Sequence, residues 1–229
     1  MVYHSYSIKK QKKKKILIIG ITGALGASLE KILIKNNFKV IGFCKTKRNK
    51  KSYISVDFKK NILNSVASNI LKKNKFDYII NTVGLYSDQP FIKMSPKNIL
   101  DMFSVNVFSF LNIILEINRF NNLKDLKIIN INSIAGIEYP KNECIYSSTK
   151  HALKAFTEIF AHQISNKNVE IIDMYPGAFK SRITKKRGNY DKLMGPDEIA
   201  KLIYSNSIKS SVKNIKIKNI VFTRDFLKN

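Results

Sequence analysis

A chain of 229 residues with 44% hydrophobic content is long enough to bury one good-sized core. Two cysteines, Cys44 and Cys144, and three scattered histidines exclude a disulfide framework and offer no metal-ligand spacing, which suits a reducing, cytoplasmic setting. The net charge of +25 raises nucleic acid, anionic membrane and acidic proteins as partners. Lysine is nevertheless spread along a chain also rich in Asn and Ile, the composition an A/T-biased genome produces, so no specific nucleic acid is expected.

The dense cluster is at the start, from Lys9 to Lys15, and residues 1–15 are expected to form a basic, flexible arm. Basic residues ahead of ILIIGITGALGAS imitate a secretory leader, but the same residues make a better strand, glycine turn and helix. Apolar runs at 16–20, 39–44, 53–58, 77–84, 126–133, 169–177 and 215–222 read as strands. Amphipathic segments such as ASLEKILIKN, ILNSVASNILKKN, NILDMFSVNVFSFLNIILEINRF and YSSTKHALKAFTEIFAHQIS lie between them. Strands alternating with helices predict an α/β fold: a doubly wound parallel sheet of about seven strands, covered on both faces, as a single domain over 16–229. No later stretch is expected to be long and apolar enough to cross a membrane.

Directly after the first run, Gly20, Gly23 and Gly26 recur at three-residue spacing and open an amphipathic segment. Glycines so placed permit a tight turn and close backbone approach to a pyrophosphate, and the following helix aims its free N–H groups at it. The second strand ends in KVIGFCKTKRNKK, without the Asp or Glu that binds a ribose 2′-hydroxyl in many NAD sites. Lys45 and Arg48 suit a 2′-phosphate instead, which points to NADP, with NAD as the alternative.

Further along, Ser133 ends an apolar run and Tyr146 precedes Lys150 by four residues. That spacing places phenol and ammonium on one helical face, where the cation favours ionisation of the phenol. Ser133 is positioned to hold a substrate oxygen against it. His151, next to Lys150, points about 100° away around a helix and receives no catalytic role. Cys144 has no evident histidine partner for nucleophilic work.

With these motifs in order over about residues 16–222, the chain resembles the short-chain dehydrogenase/reductase family, whose fold is the Rossmann type. The resemblance implies an NAD(P)-dependent oxidoreductase that interconverts a ketone or aldehyde and an alcohol. Asn106, Ser133, Tyr146 and Lys150 match the catalytic tetrad. It implies that Tyr146 is the acid/base, that Lys150 lowers the tyrosine pKa and binds the nicotinamide ribose, and that Ser133 bonds the substrate oxygen. Asn106 would hold a backbone carbonyl and a water in a proton relay. Gly20, Thr22, Gly23, Leu25 and Gly26 match the cofactor turn, Asp57 the adenine contact, and Asn81, Val83 and Gly84 the strand-four element. Pro176, Gly177, Phe179 and Ser181 match the stretch near the nicotinamide, with Ser181 where the family usually has Thr. Two departures stand out. The glycine spacing is GxxGxxG rather than TGxxxGxG, and the lid from Phe179 to Met194 is short.

The family also implies a homodimer or homotetramer built through the helices that carry Asn106 and Tyr146. The high charge admits an acidic substrate, such as an acyl group on a carrier protein. The competing reading is a non-catalytic dinucleotide binder that uses its basic surface to hold nucleic acid or an acidic partner.

Overall fold

The computed structural model describes residues 12–46, 48–60, 62–120, 122–164, 168–185, 187–209 and 217–222. Its centre is a seven-stranded sheet in the order β3-β2-β1-β4-β5-β6-β7, parallel throughout. The strands are β1 (Lys15–Ile19), β2 (Lys39–Cys44), β3 (Tyr53–Ser55), β4 (Tyr78–Asn81), β5 (Lys127–Ile131), β6 (Glu170–Pro176) and β7 (Ile217–Phe222). The helices are α1 (Ala24–Lys35), α2 (Ser65–Lys73), α3 (Pro96–Phe103), α4 (Ser109–Arg119), α5 (Cys144–Gln163) and α6 (Pro196–Ile203). This is the doubly wound α/β fold that the alternating pattern predicts.

Strand parity decides which helix each side chain meets, because successive residues point to opposite faces. Ile16 and Ile18 of β1 pack with Leu25, Leu29 and Leu33 of α1 and with Ile199 and Ile203 of α6. Leu17 and Ile19 face the other way, into a cluster with Leu71 of α2, Phe110, Ile113 and Ile117 of α4, and Leu153 of α5. Both faces are therefore apolar, and the central strands read as continuous hydrophobic runs rather than alternating ones.

Several boundaries move by a few residues, each for a local reason. β1 begins at Lys15, inside the expected arm, because the Lys15 N–H donates to Asp77 Oδ2 at 2.7 Å. Residues 1–11 of that arm, and 215 and 216 of the last run, lie outside the described residues. β3 stops at Ser55 rather than at 58, and just beyond it the Asp57 carboxylate accepts the Lys59 N–H at 3.1 Å to form a turn. α6 was absent from the helices expected above, yet it carries start signals: Pro196 in its first turn and Glu198 accepting the Gly195 N–H at 2.6 Å.

One expectation needs correcting. By length and composition, the helical run Pro96–Arg119, 24 residues, is apolar enough to cross a membrane. It joins α3 and α4 through a π-helical segment, Ser104–Phe108. Its Met102, Phe110, Ile113, Ile114 and Ile117 are buried in the fold, as in the core helix of a domain.

Strand order reverses between β1, which leads to β2, and β4, which leads to β5. In open parallel sheets the crevice at the carboxyl ends of such a pair is where ligands bind.

Candidate active site

The chain leaves β1 at Gly20, whose φ of +90° suits only a residue without a side chain. A Cβ on Gly26 would stand 2.4 Å from the Gly20 carbonyl oxygen, so glycine there lets α1 start against the turn. The N-cap of α1 is Gly23, which brings no capping side chain, and Gly23 and Ala24 are exposed. The first N–H groups and the positive end of this helix therefore face the crevice free of the chain's own carboxylates. Thr22 is half-buried in the same turn. Thr82, after β4, donates its hydroxyl to the Ile19 carbonyl at 2.8 Å and closes the crevice from the other side.

Lys45 and Arg48 are exposed just beyond β2. The Arg48 charge reaches the buried Cys44 thiol, partly opposing the upward push of burial on that group. The segment is fastened from below: Glu30 of α1 is buried, accepts Lys50 Nζ at 2.5 Å and takes the Tyr53 hydroxyl at 2.5 Å. Asp57 lies exposed beyond β3. The Asn81 side chain accepts the Val83 N–H at 3.3 Å, shaping the turn that ends at Gly84. A Cβ on Gly84 would meet only Asn106 Oδ1, at 4.0 Å, so this stretch of backbone is open. A bare helix N-terminus, an open glycine backbone and paired cations past β2 together fit a phosphorylated dinucleotide.

Beside this crevice is a cavity of about 320 Å³. Of the residues singled out from sequence, Leu25, Val83, Gly84, Ser133, Tyr146, Lys150, Pro176, Gly177, Phe179 and Ser181 line it. Thr22, Gly20, Gly23, Gly26, Lys45, Arg48, Asp57, Asn81 and Asn106 do not; most belong to the crevice, and Asn106 stands behind. Tyr146 and Lys150 lie one turn apart on α5, with the Lys150 ammonium 5.8 Å from the Tyr146 ring centroid. Ser133 reaches them from the end of β5, where its hydroxyl also accepts the Ala135 N–H at 3.2 Å and starts a short 3₁₀ turn. Asn106 sits in the π-helical segment and grips the Leu85 backbone: Leu85 N–H donates to its Oδ1 at 2.6 Å, and its Nδ2 donates to the Leu85 carbonyl at 2.9 Å. The same Nδ2 donates to Thr149 Oγ1 at 2.9 Å, beside Lys150.

Electrostatics differ from the sequence expectation at one point. Burial pushes the Tyr146 phenol up to about 12, opposed by its hydrogen bond with Ser133 and by the Arg187 guanidinium, while Glu143 adds to the rise. Lys150 is not among the groups that lower it. Burial instead pulls the Lys150 ammonium down to about 8, and the Asp173 carboxylate holds it up. Lys150 Nζ is 3.4 Å from the Ile131 carbonyl, turned toward the sheet.

Asp173 was not foreseen. Strand register sets Asn81, Asn130 and Asp173 side by side across β4, β5 and β6. Asn81 Nδ2 donates to Asn130 Oδ1 at 2.9 Å, and Asn130 Nδ2 donates to Asp173 Oδ1 at 2.8 Å. Thr157 of α5 and Tyr175 donate to Asp173 Oδ2 at 2.6 and 3.0 Å. The signal was visible as a carboxylate inside the apolar run VEIIDMYPG. Also missed were Tyr86, Glu143 and Arg187, which share the cavity wall. They lie in three separate loops or loop ends, and no local pattern links them.

His151 keeps to a structural position, stacked on Tyr139 with ring centroids 5.0 Å apart. Cys144 is exposed at the start of α5.

The family model described as short chain dehydrogenase matches residues 14–192. A diacetyl reductase, (S)-acetoin forming, of Staphylococcus epidermidis is 26% identical over 187 residues, covering 74% of this chain and 73% of that protein. A 3-oxoacyl-[acyl-carrier-protein] reductase FabG of Buchnera aphidicola is 26% identical over 182 residues, covering 74% and 75%. Among solved structures, ElxO with NADP bound superposes with a TM-score of 0.78 at 21% identity, covering 92% of this chain and 98% of that one. A 4-hydroxyisoleucine dehydrogenase complexed with NADH gives 0.76 at 21% identity, covering 92% and 96%. With a glycine turn at the switch point, a Ser–Tyr–Lys cluster beside it and a family match over most of its length, the chain belongs to the short-chain dehydrogenase/reductase family.

Proposed function

We propose that this oxidoreductase reduces a small ketone or aldehyde to the alcohol with NADPH preferred over NADH, and runs the reverse reaction at alkaline pH. The observation that carries the reading is the convergence of Ser133, Tyr146 and Lys150 on one cavity next to the crevice. The diacetyl and 3-oxoacyl relatives support a ketone with a second carbonyl either adjacent or one carbon further on as the substrate, free or linked to an acidic carrier.

The bound nicotinamide supplies or accepts the hydride; the protein orients the partners and manages the proton. Gly20, Thr22, Gly23, Leu25 and Gly26 would hold the pyrophosphate, Lys45 and Arg48 the 2′-phosphate, and Asp57 the adenine. Asn81, Val83 and Gly84 would shape the strand-four turn that the cofactor passes, and Pro176, Gly177, Phe179 and Ser181 would hold its nicotinamide end. Ser133 donates a hydrogen bond to the substrate oxygen. Tyr146, neutral well above physiological pH, gives that oxygen its proton. Lys150 fixes the cofactor ribose and carries positive charge toward the site. Asn106 holds the Leu85 backbone and Thr149, and so the wall through which protons return. One catalytic domain over 16–229, preceded by a basic arm, working as a homodimer or homotetramer in the cytoplasm, completes the proposal.

Cofactor preference is tested by titrating NADPH fluorescence and NADH fluorescence against the purified protein and against Lys45→Ser/Arg48→Ser. Losing charge-assisted contacts to a phosphate is expected to weaken NADPH about 10- to 100-fold. NADH affinity should change by less than about threefold. Equal losses for both, or none for NADPH, would remove the case for NADP.

A further inference from the structure

The segment between β6 and α6 covers the cavity and is stiffened from within. Thr184 Oγ1 donates to the Phe179 carbonyl at 2.6 Å, the Ser181 N–H donates to Thr184 Oγ1 at 3.0 Å, and the Lys180 N–H donates to the Met194 carbonyl at 2.8 Å. The Arg187 N–H donates to the Thr184 carbonyl at 3.0 Å, which joins Arg187 to this unit.

Arg187 then reaches across the cavity. Its Nη2 donates to Glu143 Oε1 at 2.8 Å and to the Tyr86 hydroxyl at 2.8 Å, while the Tyr86 hydroxyl donates to Glu143 Oε1 at 2.8 Å. Its guanidinium also lies over the Tyr86 ring, 5.2 Å from the centroid. Three chain segments meet in this triangle: the turn after β4, the entry to α5, and the loop before α6.

The triangle touches the reacting phenol. Glu143 is the N-cap of α5, three residues before Tyr146. The Tyr86 ring packs edge-on against the Tyr146 ring, with centroids 4.9 Å apart and planes at 77°. The charged or titratable side chains that share the cavity with Tyr146 among the described residues are Glu143 and Lys150 on its own helix, Arg187 on the loop, Tyr86 after β4 and Glu138 ahead of α5. Glu143 opposes ionisation of the phenol and Arg187 favours it.

Resting on the oxidoreductase reading above, we propose that Arg187 is a positioning residue for Tyr146: its pair with Glu143 and Tyr86 closes the substrate loop over the cavity and cancels the Glu143 field at the phenol. Loop closure and phenol reactivity are then one event, because the cation that fastens the loop is the one that offsets the carboxylate.

The two halves of this role separate in a double-mutant cycle. Arg187→Met and Glu143→Gln each break the tether, so each raises KM about tenfold. Their effects on the alkaline limb of alcohol oxidation, which requires ionised Tyr146, have opposite signs. Arg187→Met leaves Glu143 unopposed and moves the limb up by roughly half to one unit. Glu143→Gln leaves Arg187 unopposed and moves it down by a similar amount. The double variant keeps the raised KM with a limb close to wild type, and Arg187→Lys, which keeps charge but loses the planar fork, shows the raised KM alone. Limbs that coincide in all variants, or that move in the same direction in both single variants, overturn the proposal.

Tryptic cleavage within 178–194 reads the tether without catalysis. Faster cleavage in Glu143→Gln supports it, and unchanged cleavage overturns it. Absence of NADPH binding and turnover in the wild type would instead sink the oxidoreductase reading, leaving the tether to the cleavage rates.

Discussion

Tyr146→Phe is expected to leave NADPH affinity within about twofold of wild type while lowering carbonyl reduction by roughly a hundred- to ten-thousand-fold. The phenol is held up to about 12 by burial, so it is a neutral O–H throughout the usual assay range. A neutral phenol beside Ser133 is set up to donate, and Phe keeps its shape and its edge-on packing with Tyr86 but has no proton to give. Cofactor affinity should survive, because the hydroxyl is one contact among many along the crevice. Fluorescence titration and initial rates on the same preparation separate the two effects. Turnover that survived unchanged would end the assignment of Tyr146 as proton donor.

The second large effect is expected at Asp173. Its carboxylate accepts from Asn130, Thr157 and Tyr175 and is fully buried. Asp173→Ala strands these donors and leaves the Lys150 ammonium without its counter-charge. Breaking a buried charged partnership from one side costs about 3–5 kcal/mol. In a chain of this size that is a fall in Tm of about 6–20 °C, readable by thermal denaturation. Asp173→Asn keeps the shape and one acceptor oxygen while removing the charge, so beside a smaller loss of stability its signature is in the pH profile.

The sign follows from the two influences on Lys150. Burial lowers its pKa to about 8, and the Asp173 carboxylate opposes that fall. With the carboxylate gone, burial acts alone and Lys150 loses its proton at a lower pH. Carbonyl reduction needs the cation, so in the wild type it should decline as pH rises through about 8. In Asp173→Asn the decline should begin roughly one unit lower. An unmoved limb with normal stability would show that Asp173 serves neither purpose.

Fold class and the reacting residues were legible in the sequence for related reasons. Strands buried on both faces need unbroken apolar runs, so ILII, DYII and KIINI announced a parallel sheet before any contact was known. The glycine turn was readable because Gly20 must adopt positive φ and a Cβ on Gly26 would stand only 2.4 Å from the Gly20 carbonyl oxygen, demands that only glycine meets. Tyr146 and Lys150 were readable because helical periodicity converts a four-residue spacing into a shared face. The apolarity of Pro96–Arg119 exceeds the sequence expectation, and by length and composition alone a core helix and a spanning one pass the same test.

What the sequence by itself determined, then, is whatever rests on local backbone geometry and periodic patterning: the alternation of elements, the cofactor turn, the pairing on α5. Tertiary structure decided what depends on distances between segments far apart in the chain. The Asn81–Asn130–Asp173 row exists only once strand register is set. The Tyr86–Glu143–Arg187 triangle exists only once three separate parts of the chain converge on one cavity. The balance of charge at Tyr146 and Lys150 followed the same rule. A phenol and an ammonium four residues apart were expected to depress the tyrosine, but burial and more distant charges outweigh that pairing, because desolvation is set by everything that surrounds a group.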